Sequence, residues 1–302
     1  MSDDNVQSWE VDFVVGYANH GKQLPKTKEE YCARLHISGD AATRISGYIG
    51  PLMAIYAPEQ EECQIFHDES YPAASEAASS AFAIAQSAVH GHEYGDIVQA
   101  IKDIDTASSE EVERLQKIIR DGIDAEVETL AHDLDQAQKV LDGLNPLQER
   151  TPGDFDALKP CSVTLTSFHA AEQITLDDMN LNLAQLRFRA SLFPPGSAVW
   201  LALQIRIEEC EAIVSAQQAV VVALATILDD LRTTALYLEP ATGIIGRMTT
   251  EWSTIYDALR VLHEMVDSDL RNANAVLVDR VVADLITKWK ELRVQVQAYC
   301  PG

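Results

Sequence analysis

Apolar residues recur along this chain at alternating steps of three and four, the spacing that places them on one face of a helix. The longest series is Trp200, Leu203, Ile207, Cys210, Val214, Gln217, Val221, Leu224, Leu228, Leu231, Ala235 and Leu238, in which only Gln217 is polar. A seam kept up for more than five heptads predicts a coiled-coil-like helix, roughly 58 Å long at 1.5 Å per residue. Val220, Val222, Ala223, Ala225 and Ile227 lie beside the seam and widen it. This stretch is therefore expected to be a helix covered on most sides.

The pattern repeats. Val112, Leu115, Ile119, Ile123, Val127, Leu130, Leu134, Ala137, Leu141 and Leu144 make a second long seam. Ser108 and Glu111 form a capping box at its start, and Asn145-Pro146 is expected to end it. Trp252, Ile255, Leu259, Leu262 and Val266 form a third seam, and Val278 to Tyr299 a fourth. An Ala/Ser-rich helix is expected over 72–89, its small side chains allowing close helix approach, and another from Asp40 to Tyr56, ended near Pro58.

Residues 146–196 break the pattern. They hold five prolines and two glycines, and Cys161 to Phe168 (CSVTLTSF) alternates like a short strand. A helix start follows at Thr175–Asp178, leading to Ala190. The expected fold is all-α: a single domain over 1–302, an elongated bundle of long antiparallel coiled-coil-like helices. Residues 146–196 form a small irregular insert, or head, at one end, between the two longest helices.

Charge narrows the functional classes. With 47 acidic against 23 basic residues the formal net charge is −24. No basic stripe is present to neutralise phosphates, so nucleic acid is excluded as a partner. An anionic membrane would repel such a surface at long range, so membrane contact would have to be apolar or receptor-led. The five cysteines are widely spaced, with no CxxC pair, which reads as free thiols. The first ten residues, MSDDNVQSWE, have no basic or apolar signal region. The chain is expected to be made in the cytoplasm without a classical signal peptide. No uninterrupted apolar run reaches the roughly 20 residues that span a bilayer.

Candidate chemistry is sparse. His90, His92 and Glu93, within HGHEYGD, are the best metal candidates, but a spacing of two puts the histidines on different faces of a helix. HDE at 67–69 has the same weakness, and the Glu-x-x-His spacing of di-iron bundles does not occur. The acidic pairs Asp177-Asp178 and Asp229-Asp230 lack the third acid of a magnesium-diphosphate motif. No GxSxG, P-loop or GxGxxG is present. The expectation is no enzyme, no cofactor and no metal.

Five short elements follow one another in a suggestive order. Trp9 precedes Gly21-Lys-Gln-Leu-Pro25; Tyr71-Pro72 opens a long helix; the coiled-coil helix Val112 to Leu144 follows. Next comes the apolar Gly/Pro-containing element Leu192-Phe-Pro-Pro-Gly-Ser-Ala-Val-Trp-Leu-Ala-Leu203, and then Glu251-Trp-Ser-Thr-Ile255. This layout resembles the α-helical pore-forming toxins of the cytolysin A type, within them the alpha-xenorhabdolysin A subunit and the nematicidal all-helical crystal toxin. The resemblance implies a water-soluble bundle that is released, inserts its head into a target membrane and assembles into a ring, often with a second toxin component. Leu192, Phe193, Val199, Trp200, Leu201 and Leu203 would then contact the membrane. Pro194-Pro195 makes this head short: it can dip into an interface, while a full span requires refolding with neighbours. The alternative reading is a cytosolic helical-bundle scaffold without membrane activity, marked by an exposed apolar stripe along a helix.

Overall fold

The computed structural model describes residues 6–90 and 94–300. Helices dominate, and no strand occurs among the described residues. The helices are α1 (Ser8–Gly21), α2 (Lys28–Arg34), α3 (Gly39–Tyr48), α4 (Gly50–Ile65), α5 (Tyr71–Val89), α6 (Gly95–Asp103), α7 (Ser109–Ser191), α8 (Ala198–Glu264) and α9 (Val278–Val296). π-helical turns over Phe66–Ser70 and Met265–Leu270 follow α4 and α8. The chain divides into two compact units, one of residues 1–19, 62–150 and 241–302, the other of 20–61 and 151–240.

The all-α expectation holds, but the irregular insert does not. α7 runs unbroken for 83 residues through Asn145-Pro146, the strand-like CSVTLTSF and the supposed helix start at Thr175. The seam explains why. Its buried positions continue as Leu144, Leu147, Thr151, Asp154, Leu158, Leu165, Glu172, Leu176, Leu183 and Ala190, all in steps of three, four or seven. Pro146, Pro152 and Pro160 stand on the exposed side of the helix. There the carbonyls they orphan meet water, and each costs up to about 3 kcal/mol that the buried face must offset. The same holds at the exposed Pro240, so the longest seam, from Trp200 to Leu238, and the third, from Trp252, lie on one 67-residue α8. Leu238, Ala241, Ile245, Met248, Trp252, Ile255, Leu259 and Leu262 carry its seam across the proline, all buried. The expected helix from Asp40 to Tyr56 is two helices, α3 and α4, and Pro58 lies inside α4.

In the first unit the alanine face of α5 (Ala73, Ala74, Ala77, Ala78, Ala81, Ala85, Ala88) is buried, and α9 is its main partner. The α9 seam adds Trp289, whose Nε1 donates to the Tyr94 hydroxyl at 2.8 Å. Trp252 meets the Tyr299 ring edge-on at 5.0 Å. Two glycines let α7 approach its neighbours. A Cβ on Gly143 would lie 1.9 Å from Ser70 Oγ in the π turn, and one on Gly122 would lie 2.9 Å from the Ile97 side chain. At the start of α7, Ser108 Oγ accepts from Glu111 N at 3.4 Å, one half of the expected box.

In the second unit α2, α3 and α4 accompany the segments 151–191 of α7 and 198–240 of α8. The seam of α8 faces inward from Ile207 through Val221, Leu224, Leu228 and Leu231 to Leu238. Its polar member, Gln217, is also buried, against Glu172 of α7.

Candidate functional site

The α7–α8 hairpin turns at residues 192–197. The last turn of α7 closes with Leu192 N and Phe193 N donating to the Arg189 and Ala190 carbonyls at 3.1 and 3.2 Å. Pro194 and Pro195 cannot prolong it. Gly196 supplies the left-handed step at φ +82°, and its Cβ position is open space, so the backbone angle rather than crowding calls for glycine. Ser197 then starts α8: its hydroxyl accepts from Trp200 N at 3.3 Å and its carbonyl from Leu201 N at 2.9 Å.

Below the turn, Leu183, Ala190 and Ile207 are buried, with Leu186, Trp200, Leu203, Cys210 and Val214 packed against them. The six expected membrane-contact residues thus divide. Trp200 and Leu203 point into the hairpin and hold its two arms together. Leu192 (65% exposed), Phe193 (40%), Val199 (49%) and Leu201 (51%) face solvent. Nothing inside the unit claims these four apolar side chains.

The outer face of α7 holds a feature that the inward seams do not predict. Ile174, Leu181 and Phe188 are exposed and stand exactly one heptad apart, each two residues before a buried seam position (Leu176, Leu183, Ala190). Two residues are 200° of helix rotation, so this stripe lies opposite the seam. Val163 is exposed on the same face. The outermost heptad position is normally polar. The seven-residue spacing is present in the sequence, but all three residues lie within 146–196, the segment expected to be an irregular insert.

Farther along the hairpin a polar cluster ties α3 to both arms. Gln217 Nε2 donates to Glu172 Oε2 at 2.7 Å and to the Glu172 carbonyl at 2.9 Å. Arg44 Nη1 donates to Gln217 Oε1 at 2.8 Å and its other nitrogen pairs with Glu172. The Tyr48 hydroxyl donates to Glu172 Oε1 at 3.0 Å. Burial alone would raise the Glu172 carboxyl, but the bonds from Arg44, Gln217 and Tyr48 hold it below the usual carboxylate range. The Tyr48 ring stacks on Phe168 at 4.2 Å.

The other candidate groups do not converge. Asp230 accepts from the Tyr31 hydroxyl at 2.9 Å and pairs with Arg34 at 3.4 Å, while Asp229 pairs with Arg232. His20 stacks on Tyr237 and meets Thr234 Oγ1 at 3.0 Å, and burial lowers its pKa. His132 turns to Glu76 of α5 at 3.2 Å rather than to Glu128. The His90 ring is engaged with the Gln86 carbonyl, and His92 and Glu93 lie outside the described residues. No group of three or more metal-ligating side chains occurs among the described residues. The Cys161 thiol is half-buried and its pKa raised by burial, the opposite of an activated nucleophile.

By length and composition the continuous helix Ala198–Leu270 contains a stretch apolar enough to cross a membrane, of which 39% is buried. The expectation that no span exists rested on uninterrupted apolar runs. Isolated polar residues such as Gln217 break a run without lowering its overall hydropathy enough to exclude a span.

These features define a class of fold: an all-helical chain in which two very long helices form a hairpin with an apolar turn. Solved structures of that class superpose on nearly the whole chain. YaxA from Yersinia enterocolitica covers 96% of this chain and 95% of its own, with a TM-score of 0.54 and 11% identity. XaxA from Xenorhabdus nematophila covers 96% and 94%, with a TM-score of 0.51 and 10% identity. The YaxAB pore complex matches with a TM-score of 0.50, 11% identity and coverage of 96% and 95%. The chain has the fold of these proteins. No protein-family model and no curated protein matches it.

Proposed function

We propose that this chain is a component of an α-helical pore-forming toxin that acts on target membranes through the α7–α8 turn. One observation carries the reading: Leu192, Phe193, Val199 and Leu201 are exposed together at a turn that the fold could have closed with polar residues. A contiguous apolar patch of this kind marks a membrane or partner contact. Trp200 and Leu203 support the patch from below. The protein does this without catalysis, released from the cell that makes it. The named pore complex among the structures it resembles pairs YaxA with a further subunit, and a second toxin component or further copies of this chain are the corresponding partners here.

The stripe of Ile174, Leu181 and Phe188 favours a second reading, in which an outer helix face docks another protein. Assembly into a ring uses such a face, and so does a cytosolic scaffold. Release of a trapped dye from phosphatidylcholine vesicles, measured across a pH series, tests the first reading. Phe193→Asp and Leu201→Asp place a charge on exposed positions, so the fold survives. Leakage or vesicle binding that either change abolishes supports the proposal. Binding unaffected by both refutes contact through the turn. No binding by the native chain at any pH leaves the scaffold reading.

A further inference from the structure

The strongly acidic character of this chain stops short of the hairpin turn. From Met179 to Ile207, 29 residues, there is no aspartate or glutamate, although acidic residues average about one in six along the chain. It is the longest acid-free run in the sequence, and its charged side chains are Arg187, Arg189 and Arg206. Arg187 reaches across to Glu211 at 2.7 Å, while Arg189 and Arg206 are exposed. A helix needs no such segregation to fold. Exposed f-type positions elsewhere in α7 carry acids freely, as at Glu128 and Asp135.

Heights along the hairpin give the segregation a use. At 1.5 Å per residue Arg189 sits about 5 Å above Leu192, and Arg206 about 14 Å above Ser197. The first acids, Glu208 and Asp178, lie roughly 16 and 21 Å from the turn on the same measure. An interfacial apolar element buries about 5–10 Å into the boundary between headgroups and acyl chains. With Leu192, Phe193, Val199 and Leu201 at that depth, Arg189 lies at the level of the lipid phosphates and Arg206 within a side-chain's length of them, while the acids begin on the water side of Arg206. We infer that the turn is a reader of anionic phospholipid: an apolar wedge with an arginine collar, set on a body that anionic membranes repel.

This rests on the proposed membrane contact and adds lipid selectivity to it. The Debye length decides which charges a membrane feels. At physiological salt it is about 8 Å, so the bulk of the acidic body, tens of ångströms from the turn, is screened and the charges nearest the turn decide binding. At 10 mM salt it is about 30 Å, and the whole charge of −24 opposes approach. At 1 M it is about 3 Å and the collar is screened as well. Binding to anionic vesicles therefore passes through a maximum near physiological salt, whereas a simple basic patch weakens steadily as salt rises.

Sedimentation of sucrose-loaded vesicles tests this, with phosphatidylcholine alone and phosphatidylcholine containing phosphatidylglycerol. A basic side chain near an anionic surface adds about 1 kcal/mol, close to five-fold in partitioning. The native chain should therefore prefer the anionic vesicles several-fold at physiological salt. Arg189→Gln with Arg206→Gln should remove that preference and leave binding to phosphatidylcholine unchanged, while Arg114→Gln changes neither. Equal binding to both vesicles, or a steady fall of anionic binding from 10 mM upward, overturns the inference and leaves membrane contact standing. Binding to neither vesicle overturns both.

Discussion

Replacing Gln217 tests whether the polar break in the α8 seam is a strut or a defect. Gln217 donates to a buried carboxylate and a carbonyl and accepts from Arg44, so Gln217→Leu removes three bonds, two of them to charged groups. Bonds to charges contribute about 1.5–3 kcal/mol and neutral ones about 0.5–1.5. A buried leucine returns about 1.5–3 kcal/mol of transfer free energy, so the net cost is about 2–4 kcal/mol. Glu172→Leu costs about 1–3 kcal/mol: Gln217 keeps the residue-172 carbonyl and Arg44, and the half-exposed Arg44 can return to water. With both positions leucine the two buried polar side chains leave together, Arg44 and Tyr48 at the rim can turn to water, and buried ionic clusters replaced by apolar residues are often neutral. The double variant should therefore lose at least about 1 kcal/mol less than the sum of the singles. Urea unfolding of the four proteins, followed by circular dichroism, measures this coupling. Because the Glu172 pKa is depressed in the fold, its contribution is complete above the unfolded-state value and disappears as pH falls through the folded one. The coupling should shrink in acid. Single costs that add to within about 0.5 kcal/mol would refute the account, since independent sites behave that way.

Three further outcomes follow from the structure. Gly143→Ala forces a Cβ against the buried Ser70 and should cost about 1–3 kcal/mol of overpacking, offset by less than 1 kcal/mol of helix propensity; Gly153→Ala, with open space at its Cβ, should stabilise. Thermal melting of the two variants should move in opposite directions, and parallel shifts would contradict the close approach. Asp133 is fully buried beside Ser80, and desolvation raises its pKa to about 6. The folded state then holds this proton more tightly than the unfolded one, so its share of stability falls as pH rises from about 4 to about 6 and stays low above. Asp133→Asn should flatten that part of the pH–stability curve, and an unchanged slope would show that another group titrates there. Pro146→Ala, on the exposed side of α7, should raise the melting temperature, because it restores a lost helical bond without touching the seam.

The helical class and most of the core were legible from spacing alone. The α8 seam from Ile207 to Leu238, the α9 seam and the alanine face of α5 are buried as their periods require. What misled was local punctuation. Pro146, Pro152, Gly153 and Pro160 fall within fifteen residues, and the seam between them passes through Thr151 and Asp154, polar side chains that break an apolar series while remaining buried. A proline ends a helix only when its cost exceeds what the buried face returns. That comparison requires knowing what the other helices bury against it, which spacing does not supply. The turn at 192–197 was visible as an apolar Pro-Pro-Gly element, but the inward turn of Trp200 and Leu203 depends on packing across the hairpin.

The low identity to XaxA and YaxA has a physical counterpart in the seam. A long helical hairpin needs apolar residues at two or three positions in seven, and many apolar residues serve each of them. Agreement in fold at 10–11% identity therefore says little about the remaining positions, and those are free to diverge. Features at these free positions that the fold does not require carry the functional information. Three stand out in the second unit: the exposed apolar turn, the heptad stripe on the outer face of α7 and the 29-residue gap in an otherwise dense acidic surface. Each exposes apolar area or withholds charge where a soluble helix would do the reverse. The gap and the turn coincide, and the stripe continues from them past Asp178 to Ile174. A lipid contact accounts for the first two but not for the part of the stripe beyond the acids, where charged neighbours would be drawn into the bilayer. Under the proposed function that part calls for a protein partner, which would give one hairpin arm two surfaces: lipid near the turn and another chain farther along the same helix.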